Sequence, residues 1–196
     1  MVAYRKIDDH ETTRDILVRC ASDLLQKKGS DFSVREVCAA AGVSVGTFYT
    51  YYKNKSELIL ERLGMRDQML IAALEDEGSN DPKERLYFLG DFCARYNLDR
   101  GVLSCRDVYK NMQSSLIRVE EDRKTVLYLS ICEAIGKGQH SGLFSEAVSI
   151  TEAADNILAI IRGCGFNWCY YDGEGYDLRK QIHSGISFVI RGLLLR

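Results

Sequence analysis

The chain has 196 residues, of which 46% are hydrophobic and 28% are charged, and its formal net charge is −2. This balance is typical of a soluble globular chain with one or two domains. The N-terminus lacks the apolar core of a signal peptide, and no run of about 18 apolar residues could span a bilayer. We therefore expect a cytoplasmic protein without a membrane partner.

Strand patterns are missing from the sequence. Runs of alternating Val, Ile and Thr do not occur, and Pro82 is the only proline, so long helices can continue without interruption. The sequence therefore predicts an all-α fold.

Cysteine and histidine spacing gives no sign of a metal centre. The seven cysteines form no C-x-x-C pair, and their odd number agrees with reduced thiols, although a thiol-based redox sensor stays an alternative. The three histidines share no ligand spacing with one another or with the cysteines. We expect no metal and no cofactor.

Residues 33–52 have the pattern of two short helices joined by a glycine turn. Ser33 and Glu36 have the spacing of a capping box, which predicts that a helix begins directly after Ser33. Gly42 can supply the left-handed residue that ends this helix, and Ser44 can cap the next one. A three-residue turn with glycine is typical of the helix-turn-helix, whose second helix enters the major groove of DNA.

The second of these helices has an inner and an outer face. Phe48 and Tyr52 are four residues apart and are predicted to point into the core. The outer face carries hydroxyl and methyl groups that can meet phosphate oxygens, base edges and thymine methyls, and a glycine that lets the backbone approach DNA. The outer residues are Val45, Gly46, Thr47, Tyr49, Thr50 and Tyr51.

A further helix is predicted to begin at Lys55. Asn54 can cap this helix, with Glu57 at its third position. Lys55 then lies at the first position, where its charge adds to the positive end of the helix dipole and to unpaired N–H groups. This arrangement predicts a phosphate contact.

The segment A-G-V-S-V-G-T-F-Y-T-Y-Y-K-N-K-S-E-L, residues 41–58, resembles the signature of the tetracycline-repressor (TetR) family of bacterial transcriptional regulators. The likeness extends over roughly residues 12–63. Many relatives carry Arg or Lys at the place of Val45 and His at the place of Tyr51, so this chain lacks a possible guanine-reading side chain. The DNA-contacting residues that the resemblance implies are Ser33, Arg35, Val45, Thr47, Tyr49, Thr50, Tyr51 and Lys55.

A purely structural role for this segment stays an alternative. The three helices could be an ordinary packing unit whose exposed tyrosines have no partner, and Arg35 could be a solvated surface residue. Two capping boxes, a turn glycine and an outward Tyr/Thr face within 26 residues favour DNA binding over these alternatives.

The sequence divides into two domains joined by a long helix. The helix that begins at Lys55 is predicted to reach about residue 77, and residues 78–81 form the clearest linker, because Asp81 and Pro82 have the pattern of a cap followed by a first-turn proline. We expect a helix-turn-helix DNA-binding domain at 1–55 and a ligand-binding and dimerisation domain at 78–196.

The second domain is predicted to be a helical bundle, and its last two helices have the densest apolar stripes. In the TetR family such helices from two subunits form a four-helix dimer interface, and small residues let the helix axes approach closely. Packing inside the chain is the alternative. The helices are predicted at 82–97, 101–115, 117–138, 149–171 and 177–195, with the glycine-rich residues 136–142 as a separator. The expected interface residues are Ile161, Gly165, Gly185, Ile186, Val189, Ile190 and Leu193.

Aromatic residues with hydroxyl tips are frequent in the same domain. Ordinary core packing explains most of them, but a buried Tyr hydroxyl needs a partner, and the family resemblance implies a small-molecule cavity. Because no Lys or Arg falls clearly on these apolar faces, we expect a neutral or weakly polar ligand. The expected lining is Phe92, Tyr96, Tyr109, Tyr128 and Trp168.

Catalytic motifs are missing from the sequence. It contains no G-x-S-x-G, no P-loop and no H-E-x-x-H, so we do not expect an enzyme. The resemblance implies a ligand-responsive regulator, a repressor rather than an activator, that binds a palindromic double-stranded DNA operator as a homodimer and is released by a small-molecule effector. The alternative is an architectural or activating DNA-binding protein without an effector.

Overall fold

Nine α-helices make up the regular structure of residues 12–114 and 122–194, which the computed structural model describes. The helices are α1 (Thr13–Lys28), α2 (Val34–Ala41), α3 (Val45–Tyr51), α4 (Lys55–Asp76), α5 (Pro82–Arg100), α6 (Val102–Ser114), α7 (Val126–His140), α8 (Ile150–Tyr170) and α9 (Leu178–Leu193). One isolated antiparallel bridge joins Phe144 and Leu194. The predicted all-α fold is confirmed.

The first three helices pack around a small core of their own. Leu17 and Leu25 of α1, Val37 of α2 and Phe48 of α3 are fully buried there. Both α1 and α2 begin with a reciprocal capping box, so local sequence sets where each of these short helices starts.

A second and larger core lies among the C-terminal helices. Helix α5 packs against α7 and α9, and α8 packs against the same two helices, so these four enclose the core. Its fully buried side chains include Leu89 of α5, Ile131 of α7, Ile157 of α8 and Ile182 of α9. None of the helices in the described ranges is both long and apolar enough to cross a membrane.

Helices α4 and α6 connect the two cores. Leu58 and Ile59 at the start of α4 belong to the N-terminal core, whereas Leu70 near its end belongs to the C-terminal core. Helix α6 packs against α1 on one side and α8 on the other. A shift of either helix would therefore change the packing in both parts of the chain.

The middle of the C-terminal part differs from the prediction. A helix was predicted at 117–138, and its first residues, 117–121, lie outside the described part of the chain. The observed helix α7 begins only at Val126. Thr125 caps it by accepting a hydrogen bond from the Tyr128 N–H at 3.3 Å. Residues 136–140 of the glycine-rich stretch lie inside α7, which continues to His140, and only Ser141 and Gly142, the latter with φ of 72°, belong to the loop before α8. Gly138 lies directly beneath the Phe144 ring, so this glycine serves close packing inside the helix.

The residues expected at a dimer interface are mostly core. Ile161, Ile186, Ile190 and Leu193 are buried inside the chain and belong to the C-terminal core. Val189 is half-buried against the same core. This corrects the sequence-based assignment, because an apolar stripe looks the same whether its partner is another helix of the chain or a second subunit.

The two glycines of that predicted interface also pack within the chain. A Cβ atom on Gly165 would collide with the Tyr109 hydroxyl, and one on Gly185 would collide with the Ile160 side chain. These glycines bring helices of one chain together, which is a second correction.

Two glycines of α7 allow a direct test of this packing. Gly138→Ala forces a methyl group into the Phe144 ring and should destabilise the protein by about 1–3 kcal/mol. Gly136→Ala, one half-turn away, meets only Ile150 at ordinary van der Waals distance and should stabilise the helix by up to about 1 kcal/mol. Urea unfolding measures both; equal effects would contradict the assigned packing.

Candidate nucleic-acid interface

The turn between α2 and α3 has the geometry that the sequence predicts. Ser33 Oγ accepts a hydrogen bond from the Glu36 N–H at 3.2 Å, and a Glu36 carboxylate oxygen accepts one from the Ser33 N–H at 2.7 Å. Gly42 is left-handed, with φ of 69°. Ser44 Oγ accepts from the Thr47 N–H at 3.0 Å and so begins α3. The orientation of α3 is therefore set by backbone and capping bonds.

Helix α3 presents one face to solvent and buries the other. Phe48 and Tyr52 are buried, as predicted, whereas the Tyr49 side chain is 57% exposed and Tyr51 is 42% exposed. The Tyr49 ring meets the edge of the Phe48 ring, with centroids 5.4 Å apart. Val45, Gly46 and Thr50 are also exposed. The buried rings therefore hold the exposed face in a fixed position.

The threonine hydroxyls of α3 have partners within the helix. Thr50 Oγ1 donates to the Thr47 carbonyl, and Thr47 Oγ1 lies 2.8 Å from Ser44 Oγ. With these oxygens already bonded, the two threonines offer chiefly methyl groups to a partner molecule. Methyl groups suit contacts with thymine.

Two exposed cations lie close to α3. Arg35 on α2 and Lys53 just after α3 are exposed, and neither forms an ion pair with another described residue. Other cations nearby are paired: Lys28 bonds to Glu36 and, together with the capping bonds from Ser33, lowers the pKa of the Glu36 carboxyl to about 2. Lys53 was not among the residues expected to contact DNA, although a lysine directly after the second helix of a predicted helix-turn-helix is a usable sequence signal.

Lys55 has a different role from the predicted one. Its ammonium donates to the carbonyl of Ser30 at 2.7 Å and to that of Phe32 at 2.9 Å, and it lies 4.9 Å from the centre of the Phe32 ring. The side chain therefore binds the loop between α1 and α2, which corrects the expectation that its charge faces a phosphate. The capping of α4 by Asn54 is as expected, with a bond from the Glu57 N–H at 2.9 Å.

The same loop is also bonded to the C-terminal part of the chain. Ser30 Oγ donates to a carboxylate oxygen of Asp107, a buried residue of α6, at 2.8 Å. A Cβ atom on Gly29 would lie only 2.7 Å from the other Asp107 oxygen, so glycine is needed for this close approach. Nearby, the Gln26 amide donates to the Asp99 carbonyl at 3.0 Å. Residues 29–32 are therefore held by Lys55 and by Asp107.

The residues expected to line a ligand cavity are part of the core. Phe92, Tyr128 and Trp168 are buried, and Tyr109 is partly buried against them. The Tyr109 hydroxyl donates to the Arg162 carbonyl at 3.2 Å, and the Tyr128 hydroxyl donates to Asp155 at 3.1 Å.

The tyrosine hydroxyls among the expected lining residues have hydrogen-bond partners without a ligand. Burial, followed by the bond to Asp155, raises the pKa of Tyr128 to about 12, so its hydroxyl stays a neutral donor. The Tyr96 hydroxyl accepts a bond from Arg100. The hydroxyls of Tyr96, Tyr109 and Tyr128 all have partners within the chain. The argument that they need a ligand is therefore wrong.

An open cleft lies elsewhere, between the start of α5 and α7. It is lined by Ser79, Asn80, Pro82, Arg85, Glu133, Ala134 and Lys137. Its charges are paired, Arg85 with Glu77 and Lys137 with Glu133, both at 2.7 Å. Most of its lining residues have polar or charged side chains, and none of them is a residue expected to bind a ligand.

Comparison with known proteins gives a match for the N-terminal part. Residues 17–61 match the family model of bacterial regulatory proteins, tetR family. This segment runs from α1 to the second turn of α4 and includes the whole helix-turn-helix. No curated protein matches the chain.

Solved structures resemble the chain over nearly its whole length. The fatty acid degradation regulator FadR from Bacillus halodurans is 18% identical, with 95% of this chain and 97% of that chain covered and a TM-score of 0.71. Thermus thermophilus FadR, a TetR family transcriptional repressor in complex with lauroyl-CoA, is 20% identical, with coverage of 93% and 96% and a TM-score of 0.67. A proposed transcriptional regulator from Saccharomonospora viridis in complex with choline is 20% identical, with coverage of 93% and 98% and a TM-score of 0.71. Such identities establish the shared fold alone.

The role of Lys55 can be separated from that of Lys53 by stability measurements without any ligand. Lys55→Met removes the donor from two loop carbonyls and should destabilise the protein by about 1–3 kcal/mol. Lys53→Met changes an exposed side chain and should stay within about 0.5 kcal/mol of the parent. Chemical denaturation compares the two variants. If Lys55→Met lowers the free energy of unfolding no more than Lys53→Met does, Lys55 does not hold the loop.

Proposed function

This chain belongs to the bacterial tetR family of regulatory proteins, and we propose on that basis that it is a ligand-responsive transcriptional repressor. It binds a palindromic double-stranded DNA operator as a homodimer and leaves the operator when a small molecule binds its C-terminal domain. The observation that carries this proposal is the exposed hydroxyl and methyl face of α3, held by the buried rings of Phe48 and Tyr52.

DNA recognition is proposed to combine backbone contacts with thymine contacts. The hydroxyls of Tyr49 and Tyr51 donate to phosphate oxygens or base edges, and Arg35 and Lys53 supply positive charge beside them. The methyl groups of Val45, Thr47 and Thr50 meet thymine methyls, and Gly46 lets the backbone approach. Ser33 contributes through the backbone at the start of α2, since its hydroxyl caps that helix. Lys55 positions the loop that carries α2.

A second copy of the chain is the proposed partner of an exposed aromatic surface on α8 and α9. Phe166 and Tyr170 of α8 lie one turn apart and stack at 6.4 Å, and the Phe188 side chain of α9 is 70% exposed. Ala159 and Gly163 on the same side of α8 leave room for a close helix. Large exposed aromatic residues on two neighbouring helices are typical of protein interfaces. Two copies related by a twofold axis would read a palindrome.

Release of DNA is proposed to pass through α6 and the loop before α2. Asp107 of α6 holds Ser30 of that loop, and the Asp99 carbonyl holds Gln26 of α1. An effector that binds better when α6 is displaced shifts the population toward that state, by no more than its difference in affinity for the two states. The complexes of two similar structures with lauroyl-CoA and choline support a small-molecule effector.

A second candidate function is DNA binding without an effector, in an architectural or activating protein. The hydroxyls of Tyr96, Tyr109 and Tyr128 are bonded within the chain, which favours this alternative. Measuring DNA affinity with and without candidate metabolites separates the two functions, because only the first predicts a loss of affinity.

Lys53 provides a test of the DNA interface on a duplex of any sequence. Lys53→Ala should weaken binding on all sequences alike and lower the slope of log affinity against log salt by about one, because one phosphate contact is lost. Lys180→Ala, an exposed lysine at the start of α9, is the control and should leave the slope unchanged. Fluorescence anisotropy at several salt concentrations gives both slopes. Identical slopes for all three proteins would remove Lys53 from the interface.

The dimer surface can be distinguished from the core by charge substitutions. Phe166→Glu combined with Phe188→Glu should give a folded monomer, because both side chains are exposed in the single chain. Ile186→Glu should instead unfold the protein, since a buried unpaired carboxylate costs several kcal/mol. Light scattering and circular dichroism follow mass and helix content. A dimer that survives the double substitution would place the interface elsewhere.

A further inference from the structure

Arg100, the last residue of α5, is a buried cation with incomplete hydrogen bonding. Only 8% of it is exposed, and its guanidinium carbon lies 4.7 Å from the centre of the Tyr96 ring. One terminal nitrogen donates to the Tyr96 hydroxyl. The Nε atom and the other terminal nitrogen are buried without a hydrogen-bond partner, and Arg100 forms no ion pair within the described ranges.

An arrangement of this kind is unfavourable without a further acceptor. A guanidinium has five N–H donors in a planar fork and stays charged, so burial removes its hydration while the single Tyr96 hydroxyl replaces little of it. Planar oxyanions match this fork with two parallel hydrogen bonds. The buried, unpaired edge of Arg100 is therefore suited to a carboxylate or a phosphate.

Helix α6 begins at Val102, two residues after Arg100, and its start is a second positive feature in this part of the chain. Gly101, with φ of 77°, precedes this 13-residue helix and has no side chain to cap it, and the first turn contains no acidic residue. The N–H groups and dipole at the beginning of a helix favour an anion. Of the nearby carboxylates, Asp99 is exposed to solvent and Asp107 is bonded to Ser30.

We propose that Arg100 and the N-terminus of α6 bind the oxyanion of the effector, a carboxylate or a phosphate, while an apolar part of the effector lies against Tyr96. This inference rests on the proposed function and names the chemical class of its effector. It replaces the expectation of a neutral ligand, which depended on finding no arginine among the aromatic residues. Phe92, stacked on Tyr96 at 6.1 Å, extends the apolar surface.

The position of this site links it to the DNA-binding part of the chain. Gly101 forms the turn between α5 and α6, and the end of α5 contacts α1, where the Gln26 amide donates to the Asp99 carbonyl at 3.0 Å. On its other side, Cys169 Sγ of α8 lies 4.0 Å from the Val102 carbonyl. An anion that draws Arg100 toward itself therefore acts on a turn that α1 rests against.

The test measures the melting temperature of the full chain in a chloride buffer, alone and with benzoate, phenyl phosphate or their neutral analogue benzamide. Benzoate or phenyl phosphate should raise the melting temperature of the parent, by about 5 °C at a concentration near a hundred times Kd, and benzamide should not. The anion that acts identifies carboxylate or phosphate as the preferred group. Arg100→Met and Arg100→Gln should abolish the rise.

Arg95→Met is the matched control, because Arg95 is an exposed arginine on the same helix, and this variant should respond like the parent. Without any anion, Arg100→Met should melt at or above the parent, since it removes an unpaired buried charge. The proposal is overturned if no anion shifts the parent, if Arg100→Met and Arg100→Gln respond as the parent does, or if Arg100→Met melts lower without anion. DNA is absent from these measurements, so their failure would leave operator binding and dimer formation standing.

Discussion

Burial of the inner side of α3 is the constraint on which the rest of the molecule depends. A helix of seven residues is not stable in water by itself, so α3 keeps its position only because Phe48 and Tyr52 are anchored in the N-terminal core. The capping bonds of α2, the left-handed Gly42 and the bonds from Lys55 to the preceding loop all serve this anchoring. The exposed face of α3 has a fixed position because the buried face of the same helix is well packed.

Communication between the two parts of the chain follows from shared elements. Helix α4 has Leu58 in the N-terminal core and Leu70 in the C-terminal core, while α6 reaches the loop before α2 through Asp107. In such a frame a rigid shift of α4 or α6 would move residues of both cores, because packed cores change between discrete arrangements. Arg100, the residue of the proposed anion site, directly precedes the turn that leads into α6. A small displacement of Arg100 would act on α1, because the neighbouring Asp99 carbonyl is bonded to Gln26.

Local features of this chain could be predicted from sequence, and non-local ones could not. Ser33, Gly42 and Asn54 act on residues within one helical turn, so their spacing was sufficient. Lys55 bonds carbonyls more than twenty positions earlier, and the burial of Arg100 depends on how α5 and α6 meet. The stripe containing Ile186 had the correct period, but periodicity does not say whether a core or a second subunit covers it.

The central claim, that paired copies of α3 read a palindromic DNA site, is tested most directly by selecting binders from a random double-stranded DNA library with the purified chain. The account predicts enrichment of an inverted repeat whose half-site centres lie one helical turn of DNA, about 34–36 Å, or a multiple of it apart. It also predicts that thymine is frequent in each half-site, because the exposed helix face offers methyl groups and hydroxyls. Enrichment of a single unrepeated site, or of no sequence at all, would contradict the account.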